Sequence, residues 1–168
     1  MSVLSDNGQE GYGMQPVEVL NVSYNLTPPA PSLEKIKALQ SVIAGLPQID
    51  VTPNHYFADG MYGRELAIPA GNVVVGKTHR HEHLVLLTKG TVTINTDKGM
   101  ETISAPHTWV SQPGAKRVLY THDDCVFFTV HLNHENSRDL EQIEAYVIEP
   151  EGLIEQSEFS NELQRAYA

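Results

Sequence analysis

From about residue 48 to residue 132 the apolar positions fall in short runs, several of them alternating with polar ones, and each run is closed by a turn signal. The pattern predicts strands over 55–58, 62–68, 72–76, 83–88, 91–96, 100–105, 108–112, 116–121 and 126–132. The breakers between them are Asp59-Gly60, Pro69-Ala70-Gly71, Lys89-Gly90, Asp97-Lys98-Gly99, Ala105-Pro106, Gln112-Pro113-Gly114 and His122-Asp123-Asp124. No helical period interrupts the series, which excludes βαβ crossovers. Eight or nine strands at this spacing predict a mainly β chain folded as a small barrel or sandwich.

The period changes on both sides of this block. Leu33, Ile36, Leu39, Val42, Ile43 and Leu46 recur at helical spacing behind Ser32, with Glu34 in the first turn and Gly45 and Pro47 at the end. A helix this short needs tertiary burial to persist, so its stripe is expected to pack. Ahead of it, Thr27-Pro28-Pro29-Ala30-Pro31 makes an extended spacer, and Val17 to Tyr24 is β-prone. Beyond residue 134, Leu140, Ile143 and Val147 share a helical face until Pro150-Glu151-Gly152 breaks it. Phe159, Leu163 and Tyr167 suggest one more amphipathic helix. The expected organisation is an N-terminal arm over 1–31, an amphipathic helix over 32–47, a barrel over 48–134 and an acidic helical extension over 135–168.

Charge sharpens this division. Of the net charge of -10, residues 135–168 account for -7, with nine carboxylates against Arg138 and Arg165. The acidity lies in the extension, and such a surface repels phosphates, so neither nucleic acid nor an anionic membrane is an expected partner. No apolar run reaches the roughly 18 residues of a membrane span. The first ten residues lack a basic and an apolar region, so no secretory signal is expected and the location is expected to be cytoplasmic. Cys125 is the single cysteine, which rules out an internal disulfide and fits a reducing compartment.

The candidate chemistry sits in Lys77-Thr78-His79-Arg80-His81-Glu82-His83, just ahead of the apolar run Leu84 to Leu87 and Gly90. Three of the eight histidines and a carboxylate fall within five residues here, a density that suits a divalent cation. On one straight strand His79 and His83 would stand roughly 13 Å apart, so a bend between them is required if both are ligands. That bend removes the alternation that would say whether His81 or Glu82 points inward. His131, on the strand over 126–132, crosses the same barrel mouth. The candidate ligands are therefore His79 and His83, then His131 and Glu82, then His81. Histidine and carboxylate ligation fits Zn, Fe or Mn alike. Arg64, Lys77 and Arg117 are candidates for holding a carboxylate or phosphate of a small molecule by charge-assisted hydrogen bonds. Lys116 is expected to be a solvated charge, and His55, His107, His122 and His134 are expected to serve ordinary hydrogen-bonding or surface roles.

Together, Pro69-Ala70-Gly71, the segment from His79 to Gly90 and Thr91-Val92-Thr93-Ile94, and Ala105-Pro106-His107-Thr108-Trp109 through Pro113-Gly114 resemble the two motifs of the cupin superfamily over roughly residues 60–132. The resemblance implies a double-stranded β-helix barrel, here with an N-terminal arm and helix and a short helical C-terminal extension. It also implies a metal centre and a homo-oligomer, dimer or higher, joined through the arm and edge strands. The motif is not kept whole. Counting back from Gly90 places His83 where the family has a glutamate, His79 at its second histidine and Lys77 at its first. Counting from Pro113-Gly114 places Arg117 at the histidine of the second motif. The text is also similar to small cupin-like proteins of tailed bacteriophages, which implies a virion location and virion partners as an alternative.

Two readings follow. One is a metal-binding protein that binds or acts on a small anionic molecule. The other is a non-catalytic structural or assembly protein whose barrel is scaffold and whose arms join subunits. The residues do not decide whether the chain is an enzyme. Other chemistries rank low: Asp123 and Asp124 beside Cys125 disfavour a thiolate, and no serine elbow, phosphate loop or dinucleotide fingerprint is present.

Overall fold

The computed structural model describes residues 28–150. The strands are β1 (Asn54–Ala58), β2 (Met61–Ile68), β3 (Val73–Val75), β4 (His83–Lys89), β5 (Thr91–Thr96), β6 (Gly99–Ser104), β7 (His107–Ser111), β8 (Val118–Thr121) and β9 (Cys125–Leu132). Two helices flank them, α1 (Leu33–Ala44) and α2 (Leu140–Val147). Each strand lies where the pattern of apolar runs places one, with ends shifted by at most two residues.

The strands form two antiparallel sheets in the orders β1-β2-β9-β4-β7 and β3-β8-β5-β6. Setting β1 aside, the orders β2-β9-β4-β7 and β3-β8-β5-β6 are those of the double-sheet jelly roll, which is the double-stranded β-helix. The tight reversal from β4 to β5 depends on Gly90, at φ 88°, where a Cβ would stand 2.5 Å from Cys125 Sγ. No other residue type fits that backbone without strain.

Alternation along the strands builds the interior. Ile68, Val85, Leu87, Val92, Ile94, Cys125 and Phe127 are buried together between the sheets, with Trp109 and Leu119 packed against them. This apolar core fills one end of the barrel. At the other end, the inward positions of β9 turn polar at Thr129 and His131, and β4 begins with the buried His83.

Over that polar end lies α2. Asp139 caps it, accepting from Glu141 N at 3.0 Å and Gln142 N at 3.3 Å. Its buried face, Ile143 and Val147, meets Tyr62 of β2, with Phe57 and Tyr146 alongside. The chain leaving α2 pairs with the β3–β4 loop: Arg80 N donates to Val147 O and Glu149 N to Thr78 O, each at 2.9 Å.

The first helix behaves differently. Ser32 caps α1, with Oγ accepting from Lys35 N. Only Ile36 of its stripe is buried, while Leu33, Leu39, Val42 and Leu46 are exposed. The packing expected of this stripe is therefore not supplied by the described residues. The β-prone stretch at 17–24, most of the arm and the helix expected around Phe159 lie outside the described residues.

Candidate metal centre

The polar end of the barrel brings three histidines together. His83 opens β4, and its register follows from the Leu84–Val130 pair, which sets it beside His131 of β9. His79 reaches them from the β3–β4 loop, which bends as the sequence required. The loop is fixed on both sides, by a bridge between His79 and Ile148 and by Gly114 N donating to His79 O at 2.9 Å. Ring centroids stand 4.2 Å apart for His79 and His83, 4.5 Å for His83 and His131, and 5.1 Å for His79 and His131. One nitrogen from each ring lies within 4.8 Å of the other two.

Burial keeps these rings neutral. Desolvation is the largest cause in each case, because the interior penalises the charged imidazolium. His79 is lowered to about 4 by burial and then by His83, Arg64 and Lys77. His131 is lowered to about 3 by burial, with His83, His79 and Arg64 adding to it. His83 is also lowered by burial, offset in part by its Nδ1 contact with His81 O at 3.1 Å. All three lone pairs are thus free of protons at neutral pH, the state a metal requires.

The donor set fits a divalent cation. Nitrogens sharing an ion at about 2.1 Å stand roughly 3 to 3.4 Å from one another, so small rotations of the imidazoles close the observed spread. His79, His83 and His131 would hold the ion, leaving further coordination positions open. Thr129 Oγ1 lies 3.1 Å from His131 Nε2 and orients that ring.

Beside the cluster, β2 contributes Tyr62 and Arg64, two residues apart and so on one face of the strand. Tyr62 pairs with His131 in register, its ring is 6.0 Å from that imidazole, and its hydroxyl lies 2.7 Å from His55 Nδ1. Burial raises the Tyr62 pKa, and the phenol stays protonated. Arg64 is half-buried opposite Thr129, and its charge is felt at both His79 and His131. His55 thus takes the hydrogen-bonding role expected of it, on Tyr62 beside the cluster.

The remaining candidates lie outside the cluster. His81 is exposed and stacks on Tyr146 of α2, with centroids 4.6 Å apart. Glu82 is exposed and accepts from Gln112 Nε2 at 2.8 Å. The bend that joins His79 to His83 turns all three intervening side chains, Arg80, His81 and Glu82, outward. Lys77 pairs with Glu144 of α2 at the surface. Arg117 donates to Asn95 O at 2.8 Å and lies 3.9 Å from Asp97, while its Nε is buried without a partner. Lys116, expected to be solvated, is instead buried, with Nζ donating to Gly76 O at 3.1 Å. Cys125 is buried in the core with a raised pKa, desolvation being the main cause, which is the inert form of a thiol.

No family model matches the chain, and no curated protein matches it. Solved structures do. An RmlC-like cupin from Shewanella frigidimarina is 13% identical over 56% of this chain and 89% of its own, with a TM-score of 0.44. A cupin domain from Bordetella pertussis is 17% identical over 53% of this chain and 99% of its own, with a TM-score of 0.41. Ectoine synthase from P. lautus is 13% identical over 51% of this chain and 65% of its own, with a TM-score of 0.44. These likenesses cover little more than half of the chain, and the jelly-roll assignment rests on the strand order itself.

Proposed function

We propose that this chain is a cupin-type metal-binding protein that takes a small anionic molecule at its three-histidine centre. The observation that carries the reading is the convergence of His79, His83 and His131, one nitrogen each within 4.8 Å, at the polar end of the barrel. A divalent cation supplies Lewis acidity at open coordination positions when bound there.

The class of ligand follows from charge. The three imidazoles are neutral, no carboxylate joins them among the described residues, and Arg64 adds a positive charge nearby. Among the described residues, a dication held by these three rings meets no carboxylate ligand that would balance its charge. A carboxylate or phosphate ligand supplies that balance, with Arg64 offering directional N–H donors and Tyr62 a protonated hydroxyl. His81, Glu82, Lys77 and Arg117 are engaged elsewhere and take no part in this reading.

Cobalt-loaded protein tests it, since the visible spectrum of Co2+ reports its coordination. Titration with phosphate and with malonate is expected to change that spectrum saturably, and Arg64→Gln is expected to weaken the response about 10-fold or more. A spectrum indifferent to both anions rejects the anionic ligand.

The second reading, a non-catalytic assembly protein of the kind tailed bacteriophages encode, draws on a separate observation. Leu33, Leu39, Val42 and Leu46 leave α1 with an apolar stripe that the described residues do not cover. It predicts that the histidine variants leave assembly intact, whatever metal they lose.

A further inference from the structure

The histidine cluster is nearly closed off from solvent. His83 is 6% exposed, His131 5%, and Tyr62 beside them 5%. An ion held there, and an oxyanion that joins it, need a path that the closed mouth does not offer. The barrel wall is too well tied to supply one. β9 and β4, which carry His131 and His83, are paired neighbours inside the five-stranded sheet. His79 O accepts from Gly114 N, which ties its loop to the β7–β8 turn.

α2 is attached more lightly. It buries Ile143 and Val147 against Tyr62, while Leu140, Glu141, Gln142, Glu144 and Ala145 face solvent. It meets the β3–β4 loop through two backbone bonds, Arg80 N to Val147 O and Glu149 N to Thr78 O. The Lys77–Glu144 ion pair and the stacking of His81 on Tyr146 complete the contact, both at the surface. The base of the helix is fixed by contrast. Asn133 is buried, accepts from Ser137 N at 3.1 Å and donates Nδ2 to Ser137 O at 2.9 Å. Asn133 N donates to Gly60 O at 2.9 Å, and Asn136 Oδ1 accepts from Gly60 N at 2.7 Å. The chain is thus anchored to the β1–β2 turn through residue 137, and only Arg138 and Asp139 join that anchor to the helix.

We propose that α2 is a hinged lid, pivoting at Arg138 and Asp139, whose opening admits the metal ion and its anionic ligand to the histidine cluster. The inference rests on the reading of that cluster as a metal centre. Opening parts Ile143 and Val147 from Tyr62 and breaks the two backbone bonds to the loop, while the Gly114 contact keeps His79 on the barrel. A unit held by two apolar side chains and a surface ion pair opens at a small fraction of the cost of unfolding the barrel. Charge separates the two visitors. Residues 140–150 carry Glu141, Glu144 and Glu149 and no basic residue, and the charge of Glu144 is felt at Tyr62. The closed lid therefore draws a cation and opposes an anion, which gains most from opening.

Hydrogen exchange and metal uptake by the full-length, chelator-treated chain decide this. The Arg80 and Glu149 amides are expected to exchange together, about 100-fold or more faster than the amides that pair β4 with β9. Lys77→Cys with Glu144→Cys, joined by a short bis-maleimide, ties the lid shut without changing net charge. Cys125 is buried in the core and does not compete for the reagent. Linking is expected to slow exchange at Arg80 and Glu149 by about 10-fold or more relative to the unlinked variant. Uptake of Co2+, followed by its visible spectrum, is expected to slow by the same factor. Val147→Ala weakens the docking and keeps every charge, so it serves if the double variant fails to fold, and it is expected to speed uptake about 5-fold. Arg80 and Glu149 amides that exchange no faster than those between β4 and β9 overturn the lid. So does uptake that linking leaves unchanged. A chain that takes up no Co2+ in any form overturns the metal reading instead, and hydrogen exchange then decides the lid by itself.

Discussion

At the residue scale, the barrel's two ends ask opposite things of their side chains. Leu87 is almost wholly buried in the apolar core, and Leu87→Ala is expected to cost about 2–5 kcal/mol in a denaturant titration. At the polar end the cost appears in the pH dependence. The folded pKa values of His79, about 4, and His131, about 3, lie below the ordinary 6.5, so the unfolded chain binds more protons as acid is added. In chelator-treated protein, this contribution to stability is complete above about pH 6.5 and is lost as pH falls towards those folded values. Thermal melts from pH 7 to pH 5 should therefore fall, and His131→Gln should flatten the curve; equal slopes for both proteins would show that His131 is not buried neutral. His79 and His83 were legible in the sequence because imidazoles rarely crowd so closely. Glu82 and His81 stood in the same crowd, and only the direction of the bend separates them from the cluster. His131 was legible as a late-strand candidate, since β9 crosses the barrel mouth, but Tyr62 and His55 gave no such signal. Aromatic residues on strands are usually core, and a register is needed to see what they touch.

At the element scale, the strands were legible almost completely, because a turn residue closes each short apolar run and several of the runs keep a period of two. The pairing order was not legible, since β2 meets β9 from more than fifty residues away and nothing local specifies that contact. α2 was legible as a helix from Leu140, Ile143 and Val147, but not as the cover of the histidine centre. Its placement comes from Tyr62, which supplies the apolar surface that Ile143 and Val147 bury. The backbone bridge to His79 follows from that docking. Ile143→Ala is accordingly expected to cost about 2 kcal/mol or more and to speed the release of metal to a chelator several-fold. An unchanged release rate in a destabilised variant would separate α2 from the support of His79. The stripe of α1 shows the limit of periodicity: it announces an apolar face without saying which surface that face meets.

At the scale of the whole molecule, a jelly roll divides its interior between a packed apolar end and a polar mouth, and the mouth is where chemistry is placed. The same β4 and β9 that carry His83 and His131 inward carry Leu84, Phe128 and Val130 outward, because alternation sends successive side chains to opposite sides of the sheet. The central claim is the metal centre, and elemental analysis of untagged, full-length protein tests it most directly. The account predicts close to one equivalent of a divalent metal per chain, lost in His83→Ala and in His131→Ala and retained in His81→Ala and Glu82→Gln. Substoichiometric metal that none of these substitutions alters would contradict it.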